Sequence, residues 1–511
     1  ELANRIRALL SGEQSNAAAI TVPANRIDRA ITRITPELLP LIALTQGEID
    51  QVVSRVAGGV GNVQDIYPLA PLQEGILFHH LLQSSGDAYL SHALLGFDSL
   101  ARSNAFIAAL QAVLDRHDIL RSAVLWEGLS QPVQVVWREA VLPVESVSFD
   151  PALGSLADQL VDYGHPRHTR LDLSRAPLLR LVQAREGERC LLLLLFHHLI
   201  ADHTTLEVIL EEIAAHLQGQ VQHLSAPVPF RHFVAQARGG VSPEAHEAFF
   251  RQMLGDIDTP SAPFGLLDVR GDGSGMVEAV RDLDWDLAQR MRDQARRLGA
   301  TPAALCHLAW ALVLSRCCGQ DEVVFGTVLF GRMQGGQGVE RALGMFINTL
   351  PLRISCGARQ VEQALRETQM SLLALMRHEH ASLSLAQRCS ALPASTPLFS
   401  GLLNYRHSLA EDSAPKLEGV ELLQAEERTN YPFTLSVDDL GEGFSLSAQV
   451  DASVDPHRLC AYMQGALEGL VAALEETPRR LLSELDILPA EERQQLLIEW
   501  NDTATDYARE S

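Results

Sequence analysis

Apolar residues recur along the first half of the chain at spacings that predict alternating helices and strands from about residue 63 onward. The spacing of amphipathic helices is found over 71–82, 103–117 and 204–217. The composition of strands is found over 91–97, 120–126, 133–137 and 190–197. The last stretch is apolar for most of its length, which is typical of a strand buried on both faces.

The second half of the chain has the same character. Helical spacing is found over 286–298, 361–376 and 456–476, and after the capping residue Thr301. Strands are predicted over 277–283, 322–329, 398–405, 433–437 and 444–450, the last two as a hairpin. The Pro-containing segment 225–229 separates the halves, so we predict two α/β lobes, over 63–228 and 229–486.

Composition and charge exclude several classes of protein. The chain is 47% hydrophobic and 21% charged, which rules out disordered, collagen-like and disulfide-framework proteins. Its net charge of −23 argues against binding to nucleic acid, because phosphate contacts need clustered cations. The longest apolar run, 191–196, is too short to span a bilayer, so no membrane association is expected.

Cysteine and lysine usage predict the compartment and the source. The seven cysteines include no C-x-x-C pair and lie mostly in apolar contexts, where a free thiol packs as a small hydrophobe. This usage indicates a reducing compartment, and with no signal peptide at the start we expect a cytoplasmic protein. Lys416 is the sole lysine among the cations, and this bias predicts a bacterial source with GC-rich codons.

The segment LLLLLFHHLIADH (191–203) carries the clearest chemistry. A buried strand delivers His197 and His198 at its end, and strand alternation directs their side chains to opposite sides. One imidazole can therefore face a substrate while the other packs. Asp202 lies at the start of the following helix, where an anion is favoured.

Three interpretations of this segment remain open from the residues alone. The first is a pair of packed histidines followed by a helix-capping aspartate. The second is a zinc site formed by His197, His198 and His203, although the spacing lacks the Cys or Glu of known sites. The third is an acyltransferase with an HHxxxD motif.

Several segments, in order along the chain, resemble motifs of the condensation domains of nonribosomal peptide synthetases. They are YPLAPLQEGILFH (67–79), RHDILRSAV (116–124), HHLIADH (197–203), GMFINTLPLR (344–353) and TPLFSGLLNY (396–405). His203 stands where the family usually has Gly. The resemblance covers about 63–486 and implies an α/β, chloramphenicol-acetyltransferase-like fold, a V-shaped pseudo-dimer of two lobes with a tunnel between them.

A second histidine motif refines this resemblance. HHLLQSSGD (79–87) is similar to the HH[I/L]xxxxGD motif of dual epimerization/condensation domains. LFGRMQGGQ (329–337) lacks the glutamates that dedicated epimerization domains carry in their EGHGRE-like motif. The resemblance therefore implies that the domain epimerizes the donor and condenses it. The alternatives are condensation alone and a silent platform that only docks carrier domains.

The resemblance also implies roles for single residues. His198 is expected to accept a proton from the attacking amine or to orient it, and to be the first candidate for removing the donor Cα proton. His197 belongs to the same catalytic motif. His79 and His80 are candidates for shaping the donor side or relaying a proton.

Other residues are expected to support the site. Asp202 is grouped with the catalytic residues because it completes the HHxxxD motif, but its expected role is structural. It is expected to pair with an arginine from the other lobe, and Arg332 is the candidate partner by its position. The remaining supporting candidates are Gly86, Asp87, Arg121 and Asn348.

The ends of the chain resemble pieces of neighbouring domains. Residues 1–12 resemble the last helix of a carrier domain, 13–62 are predicted to be linker and lead-in helices, and 487–511 resemble the linker into an adenylation domain. The implied partners are upstream and downstream carrier domains and the adenylation domain. No metal or bound cofactor is implied, because the phosphopantetheine arms arrive on the carriers.

Overall fold

The structure is a computed structural model that describes residues 22–82, 86–269, 275–332, 341–407, 417–426 and 429–502. Its strands are β1 (Val63–Pro68), β2 (Leu90–Phe97), β3 (Ser122–Leu125), β4 (Val133–Trp137), β5 (Val144–Ser146), β6 (Leu179–Glu186), β7 (Arg189–His197), β8 (Met276–Asp282), β9 (Glu322–Leu329), β10 (Asn348–Ser355), β11 (Gly401–His407), β12 (Val420–Glu426), β13 (Phe433–Asp439) and β14 (Phe444–Asp451).

The α-helices of the described residues alternate with these strands. They are α1 (Gln46–Arg55), α2 (Pro71–Leu82), α3 (Leu100–Arg116), α4 (Leu156–Tyr163), α5 (His203–Leu217), α6 (Arg231–Gly239), α7 (Pro243–Leu254), α8 (Trp285–Arg297), α9 (Pro302–Cys318), α10 (Val361–Met376), α11 (Leu383–Arg388), α12 (Pro456–Glu476) and α13 (Ala490–Gln494). The carrier-like helix expected at 1–12 lies outside the described residues.

The N-terminal lobe is built on a five-stranded sheet with the order β12-β2-β7-β6-β5. The central strand β7 runs antiparallel to β2 and β6 and is buried on both faces, as its apolar run predicts. Leu192 faces the core that includes residues of α3 and α5, whereas Leu193 and Leu195 face the core that includes Leu160 of α4. This packing fixes the end of β7, where the two histidines lie.

A small sheet with the order β1-β4-β3 completes this lobe. Its inner face packs on residues that precede it in the chain, among them Ile34, Ile49 and Val52. The helix α1 that carries two of these residues begins with a capping box between Thr45 and Glu48. The core of the lobe therefore extends upstream of residue 63, into the predicted lead-in.

The C-terminal lobe has a six-stranded sheet with the order β10-β9-β11-β13-β14-β8. The helix α9 is buried on nearly all sides, with Trp310 stacked on Phe433 of β13. Because α9 packs against α8, α10 and α12, it forms the centre of this lobe's core. The sheet and its helices carry β9 towards the N-terminal lobe.

Two segments cross from the second half of the chain into the first lobe. The strand β12 pairs antiparallel with β2, with Val420 opposite Phe97. Residues 329–332, the crossing segment, leave the end of β9 and bring Arg332 to α5. The N-terminal lobe therefore contains segments from after the predicted boundary at 225–229.

Periodicity predicted the long elements well and missed several strands. The helices over 71–82, 361–376 and 456–476 and the strands over 133–137 and 322–329 have the predicted bounds. The strand β10 was missed because Pro351 lies within it, which is tolerated because β10 is the edge strand. The predicted strand 120–126 is shorter, since Ile119–Arg121 is a 3-10 turn.

The helices and the cysteines of the structure bear on the predictions about membranes and thiols. Within the described ranges no single helix is long and apolar enough to cross a membrane, and α8 and α9 reach that length only as a pair bent by 107°. Most of α9 is buried in the lobe's core. All seven cysteines are free thiols, most of them buried.

Candidate active site

The end of β7 places two histidines between neighbouring strands. The backbone N–H of His197 donates to the Leu178 carbonyl at 3.1 Å, and that of His198 donates to the Tyr89 carbonyl at 2.9 Å. These bonds fix the last residues of the strand on both sides. The two imidazoles consequently have different environments, as strand alternation predicts.

His198 is the half-buried member of the pair, and its surroundings define its tautomer. Its Nδ1 lies 3.4 Å from the Ala201 carbonyl oxygen, which can only accept a hydrogen bond. The proton of neutral His198 is therefore on Nδ1, and Nε2 accepts a hydrogen bond from the Ser91 hydroxyl at 2.9 Å. Nε2 of His198 therefore carries the lone pair that proton transfer requires, and a substrate reaches it by displacing the Ser91 hydroxyl.

Ser91 is a site residue that the sequence did not reveal. It lies on β2, opposite Phe196 of β7, and its side chain reaches His198 across 107 positions of sequence. No spacing rule connects the two residues, because only antiparallel pairing of β2 with β7 brings them together. The Ser91 hydroxyl occupies the place beside Nε2 of His198 that a substrate amine or Cα–H would take.

His197 is fully buried and has a supporting role. Its Nδ1 accepts a hydrogen bond from the Leu199 N–H at 3.1 Å, so its proton is on Nε2, which donates to Asp87 at 3.1 Å. Burial lowers the pKa of His197, which keeps it neutral. Because His197 is fully buried and both of its nitrogens are bound to other protein groups, it positions its neighbours and does not exchange a proton with a substrate.

Asp87 joins the two histidine motifs. Its Oδ2 accepts hydrogen bonds from Nε2 of His197 and, at 2.6 Å, from Nδ1 of His80, while its Oδ1 accepts from the Tyr89 N–H at 3.0 Å. Burial by itself raises the pKa of Asp87, but the hydrogen bonds from His197 and His80 outweigh it and hold that pKa well below its usual range. Asp87 is therefore a buried carboxylate with three donors.

The backbone conformation of Gly86 allows the chain to place Asp87 against the two histidines. Gly86 has φ +69°, and a Cβ at this position would lie 2.5 Å from the Arg167 carbonyl oxygen. Arg170 donates to the carbonyls of Gly86 and His80 at 3.0 Å and 2.6 Å, which ties this turn to the end of α2. Residues 83–85, which precede Gly86 in the sequence, lie outside the described residues.

Gly86→Ala is expected to lower the free energy of unfolding by about 1–3 kcal/mol more than Gly187→Ala. Both glycines have a left-handed backbone, with φ +69° and +63°, but nothing lies within 4 Å of a Cβ at Gly187. The matched pair therefore separates the steric clash from the backbone strain. Urea unfolding of both variants measures the difference. Equal losses of unfolding free energy would show that the Arg167 carbonyl moves away from the new Cβ at no cost.

His79 is not part of the Asp87 cluster. Its half-buried ring lies 5.9 Å from the ring of Tyr89 and 5.8 Å from that of Phe78, measured between centroids. The two histidines of HHLLQSSGD therefore differ as those of HHLIADH do. One is bound to a buried carboxylate, and the other packs beside an aromatic ring.

The zinc site considered from sequence does not form. His203 lies on the surface 3.6 Å from Glu207, and His197 is bound to Asp87. Within the described part of the chain, the candidate metal group is instead His80, Asp87 and His197, with ligand atoms within 4.8 Å of one another. Metal ligation through Nε2 of His197 would need a proton on Nδ1, where the Leu199 N–H already donates, so this arrangement favours hydrogen bonding.

Asp202 and Arg332 form a buried ion pair between the lobes. Arg332 Nη2 lies 2.8 Å and 3.0 Å from the two carboxylate oxygens, and Asp202 also caps α5 through the Thr205 N–H at 2.9 Å. The Arg332 guanidinium lies 4.0 Å above the ring of Phe346 and donates to the Ala342 carbonyl. Asp202 belongs to the catalytic motif, but its carboxylate binds Arg332 and caps α5, so its role in this structure is structural.

Arg121 and Asn348 lie apart from this site, which corrects their assignment as support for it. The Arg121 side chain is buried and donates to Gln64 Oε1 at 2.9 Å and to the carbonyls of Leu114 and Trp137, holding the small sheet to α3. Asn348 donates from Nδ2 to the carbonyls of Glu379 and Ala381, both at 2.7 Å. The amide nitrogen of Asn348 therefore secures a bend of the C-terminal lobe.

Comparison with known proteins assigns this geometry to a family. The condensation domain family matches residues 63–497. The chain belongs to the condensation domain family. This condensation domain is 52% identical over 491 residues to malpinin synthetase of Mortierella alpina and 47% identical over 501 residues to malpibaldin synthetase of the same fungus. These alignments cover 96% and 98% of the chain, which spans 6% and 9% of the relatives' own length.

A bacterial relative is more distant. Tyrocidine synthase 3 of Brevibacillus parabrevis is 27% identical over 469 residues, covering 88% of the chain and 7% of the relative. The higher identity to fungal synthetases leaves the bacterial source inferred from lysine scarcity without support.

Solved structures confirm the predicted fold. The condensation domain of the monacolin K polyketide synthase MokA has a TM-score of 0.64 at 21% identity, covering 82% of this chain and 100% of that one. The first condensation domain of the calcium-dependent antibiotic synthetase, in complex with a substrate analogue, has a TM-score of 0.63 at 16% identity, covering 83% and 99%. At these identities the likeness establishes the chloramphenicol-acetyltransferase-like fold alone.

Proposed function

We propose that this condensation domain epimerizes the Cα of an upstream carrier-bound aminoacyl or peptidyl thioester and then joins it to a downstream carrier-bound aminoacyl thioester. The product would carry a D residue on the donor side of the new amide. The observation that supports both activities is the carboxylate of Asp87, which binds one histidine from each motif. Phosphopantetheine arms on the carrier domains would deliver both substrates, and an adenylation domain would follow.

The condensation step needs one proton acceptor. The amine nitrogen of the downstream substrate attacks the upstream thioester carbonyl and gives a tetrahedral oxyanion. Nε2 of His198 accepts the proton that the nitrogen loses, or orients the amine before attack. When the C–S bond breaks, the proton passes to the leaving thiolate, so the products are an amide and a free thiol. Holding both tethered substrates together supplies much of the rate.

Epimerization requires proton removal and return on opposite faces of the donor Cα. The thioester acidifies the Cα–H, so an imidazole can remove it and give an enolate-like species. His198 is one candidate. His80 is the other, because Asp87 holds its Nδ1–H at 2.6 Å and leaves Nε2 for proton exchange. A carboxylate that fixes one nitrogen of a histidine while the other exchanges protons is a recurring catalytic arrangement.

Condensation without epimerization is the second candidate function. The observation that favours it is the burial of His80, which is only 6% exposed and is bound tightly to Asp87. On that view the His80–Asp87–His197 cluster only stiffens the end of β7. A silent docking platform is disfavoured by the intact surroundings of His198.

His80→Gln is expected to abolish deuterium exchange at the donor Cα while condensation of a D-configured donor continues. Glutamine can still donate an N–H to Asp87, so the cluster stays satisfied, but it cannot exchange a proton. The measurement uses an upstream carrier loaded with the L-donor in heavy water, with mass and stereochemical analysis of the product. His79→Gln is the matched control for a neighbouring histidine outside the cluster.

Two outcomes would contradict the dual activity or the role of His80. Amide formation from an L-donor without deuterium at Cα, in the unmodified protein, would leave condensation alone. Equal loss of exchange and of D-donor condensation in His80→Gln would assign His80 to structural support.

A further inference from the structure

The Ser91 hydroxyl lies at the reacting nitrogen of His198, although neither proposed reaction consumes it. Its oxygen is 2.9 Å from Nε2 of His198 and donates its proton to that nitrogen. A hydroxyl bound to the lone pair of a base must leave before the base can act. Ser91 therefore competes with every molecule that would use Nε2.

Strand β2 holds His198 at two points. The Tyr89 carbonyl accepts the backbone N–H of His198 at 2.9 Å, and Ser91, two residues further along the strand, binds the imidazole. Ser91 is opposite Phe196 in the antiparallel pairing of β2 with β7, and it is only 3% exposed. Because Ser91 lies within a paired strand, the backbone keeps its hydroxyl within reach of Nε2.

Hydrolysis is the side reaction that a donor thioester can undergo before an acceptor arrives. A water molecule bound to Nε2 of His198 would lose a proton to the imidazole as its oxygen attacks the thioester carbonyl. When the C–S bond breaks, the proton passes to the leaving thiolate, so the products are a carboxylic acid and a free thiol. The acid is no longer attached to its carrier and cannot be condensed.

The surroundings of Nε2 favour the hydroxyl over a water molecule. The ring of the buried Phe196 lies 6.1 Å from that of His198, measured between centroids, and an apolar ring gives water no strong hydrogen bond. A water molecule that took Nε2 would also remove the acceptor of the Ser91 hydroxyl in a buried position, which is costly.

The acceptor amine differs from water because it is tethered. A carrier-bound amine is held beside the thioester by its phosphopantetheine arm, which raises its effective concentration there. The free energy with which the carrier and its arm bind can offset the loss of the bond between Ser91 and His198. A water molecule binds without this contribution.

We infer that Ser91 is a specificity-determining residue, whose hydroxyl keeps water from Nε2 of His198 until a tethered amine displaces it. The donor thioester is thereby protected from hydrolysis in the absence of an acceptor. The inference rests on the condensation part of the proposed function, in which His198 is the base, and does not depend on epimerization.

The test measures hydrolysis of a donor without an acceptor. The upstream carrier is loaded with a D-configured donor and mixed with the full chain, and the released acid is measured by mass spectrometry. The rate for the loaded carrier alone is subtracted. Ser91→Ala is expected to release the acid about two- to tenfold faster than the unmodified protein, since one hydrogen bond shifts an equilibrium by about that factor.

A buried serine outside the site provides the matched control. Ser103 lies on α3 of the same lobe, is fully buried, and its hydroxyl accepts a hydrogen bond from Gln183 at 2.9 Å. Ser103→Ala removes a buried hydroxyl of the same kind and is expected to give no gain in hydrolysis. A loss of structure by itself would slow amide formation and would not accelerate release of the acid.

Two further variants show whether the gain passes through His198. Ser91→Ala combined with His198→Ala lacks the base and is expected to show no gain. Ser91→Thr keeps a hydroxyl on a residue that suits a strand, so it should hydrolyse the donor more slowly than Ser91→Ala.

Failure of this inference differs from failure of the proposed function. Unchanged hydrolysis in Ser91→Ala, or a gain that persists without His198, would overturn the role of Ser91 even if amide forms normally. Failure of the condensation function would appear instead as an absence of amide between loaded carriers in the unmodified protein.

Discussion

His198→Ala is expected to slow amide formation from a D-configured donor by about 10²–10⁴-fold, the usual contribution of a positioned acid–base group. The tautomer set by Ala201 leaves Nε2 of His198 as the proton acceptor, whereas the neighbouring His197 is fully buried and bound at both nitrogens. The rate of amide product formation between loaded carriers measures the effect.

Two further variants determine what His198 contributes. His203→Ala is the matched control, since His203 belongs to the same motif but is about half exposed beside Glu207, and it should keep the original rate. His198→Gln can accept a hydrogen bond from the amine but cannot take its proton. A rate close to the original in His198→Gln would show that His198 orients the amine, and a rate as low as that of His198→Ala would show that it removes a proton.

Arg332→Ala is expected to lower the free energy of unfolding by about 3–5 kcal/mol, because it leaves the buried carboxylate of Asp202 without its counter-ion. The side chains of both partners are almost entirely buried, at 10% and 2% exposure. Equilibrium unfolding in urea measures this loss. Condensation should fall with it, since Asp202 caps the helix that follows the histidine motif.

A surface pair provides the control for this prediction. Arg341 binds Glu211 of the same helix, α5, at 2.8 Å, but both side chains are more than 40% exposed. Arg341→Ala should cost no more than about 1 kcal/mol, as solvated ion pairs do. The double variant Asp202→Asn with Arg332→Ala removes the unpaired charge, so it should be more stable than Arg332→Ala alone. If Arg332→Ala and Arg341→Ala lowered the free energy of unfolding by similar amounts, the Asp202–Arg332 pair would not behave as a buried ion pair.

Contacts between residues close together in the sequence could be predicted, whereas contacts between residues far apart in the sequence could not. The apolar run before His197 predicted a buried strand ending at two histidines, and the structure has that strand as β7. The local pattern could not show that Asp87 binds His197 across 110 positions, because that contact needs the pairing of β2 with β7. Arg121 was misplaced for the same reason, since adjacency to a family motif says nothing about the direction of a side chain.

The sequence by itself determined the periodic elements, the acidic balance, the ordered motifs and the family they indicate, because each is encoded within a few turns or strands of chain. The tertiary structure decided which histidine has a nitrogen bound only to a hydroxyl that a substrate can displace, which carboxylate joins the two motifs, and which arginine forms the ion pair between the lobes. It also placed the Ser91 hydroxyl against Nε2 of His198. These are contacts between distant residues, and their geometry and burial exist only after the sheets have paired and the lobes have packed.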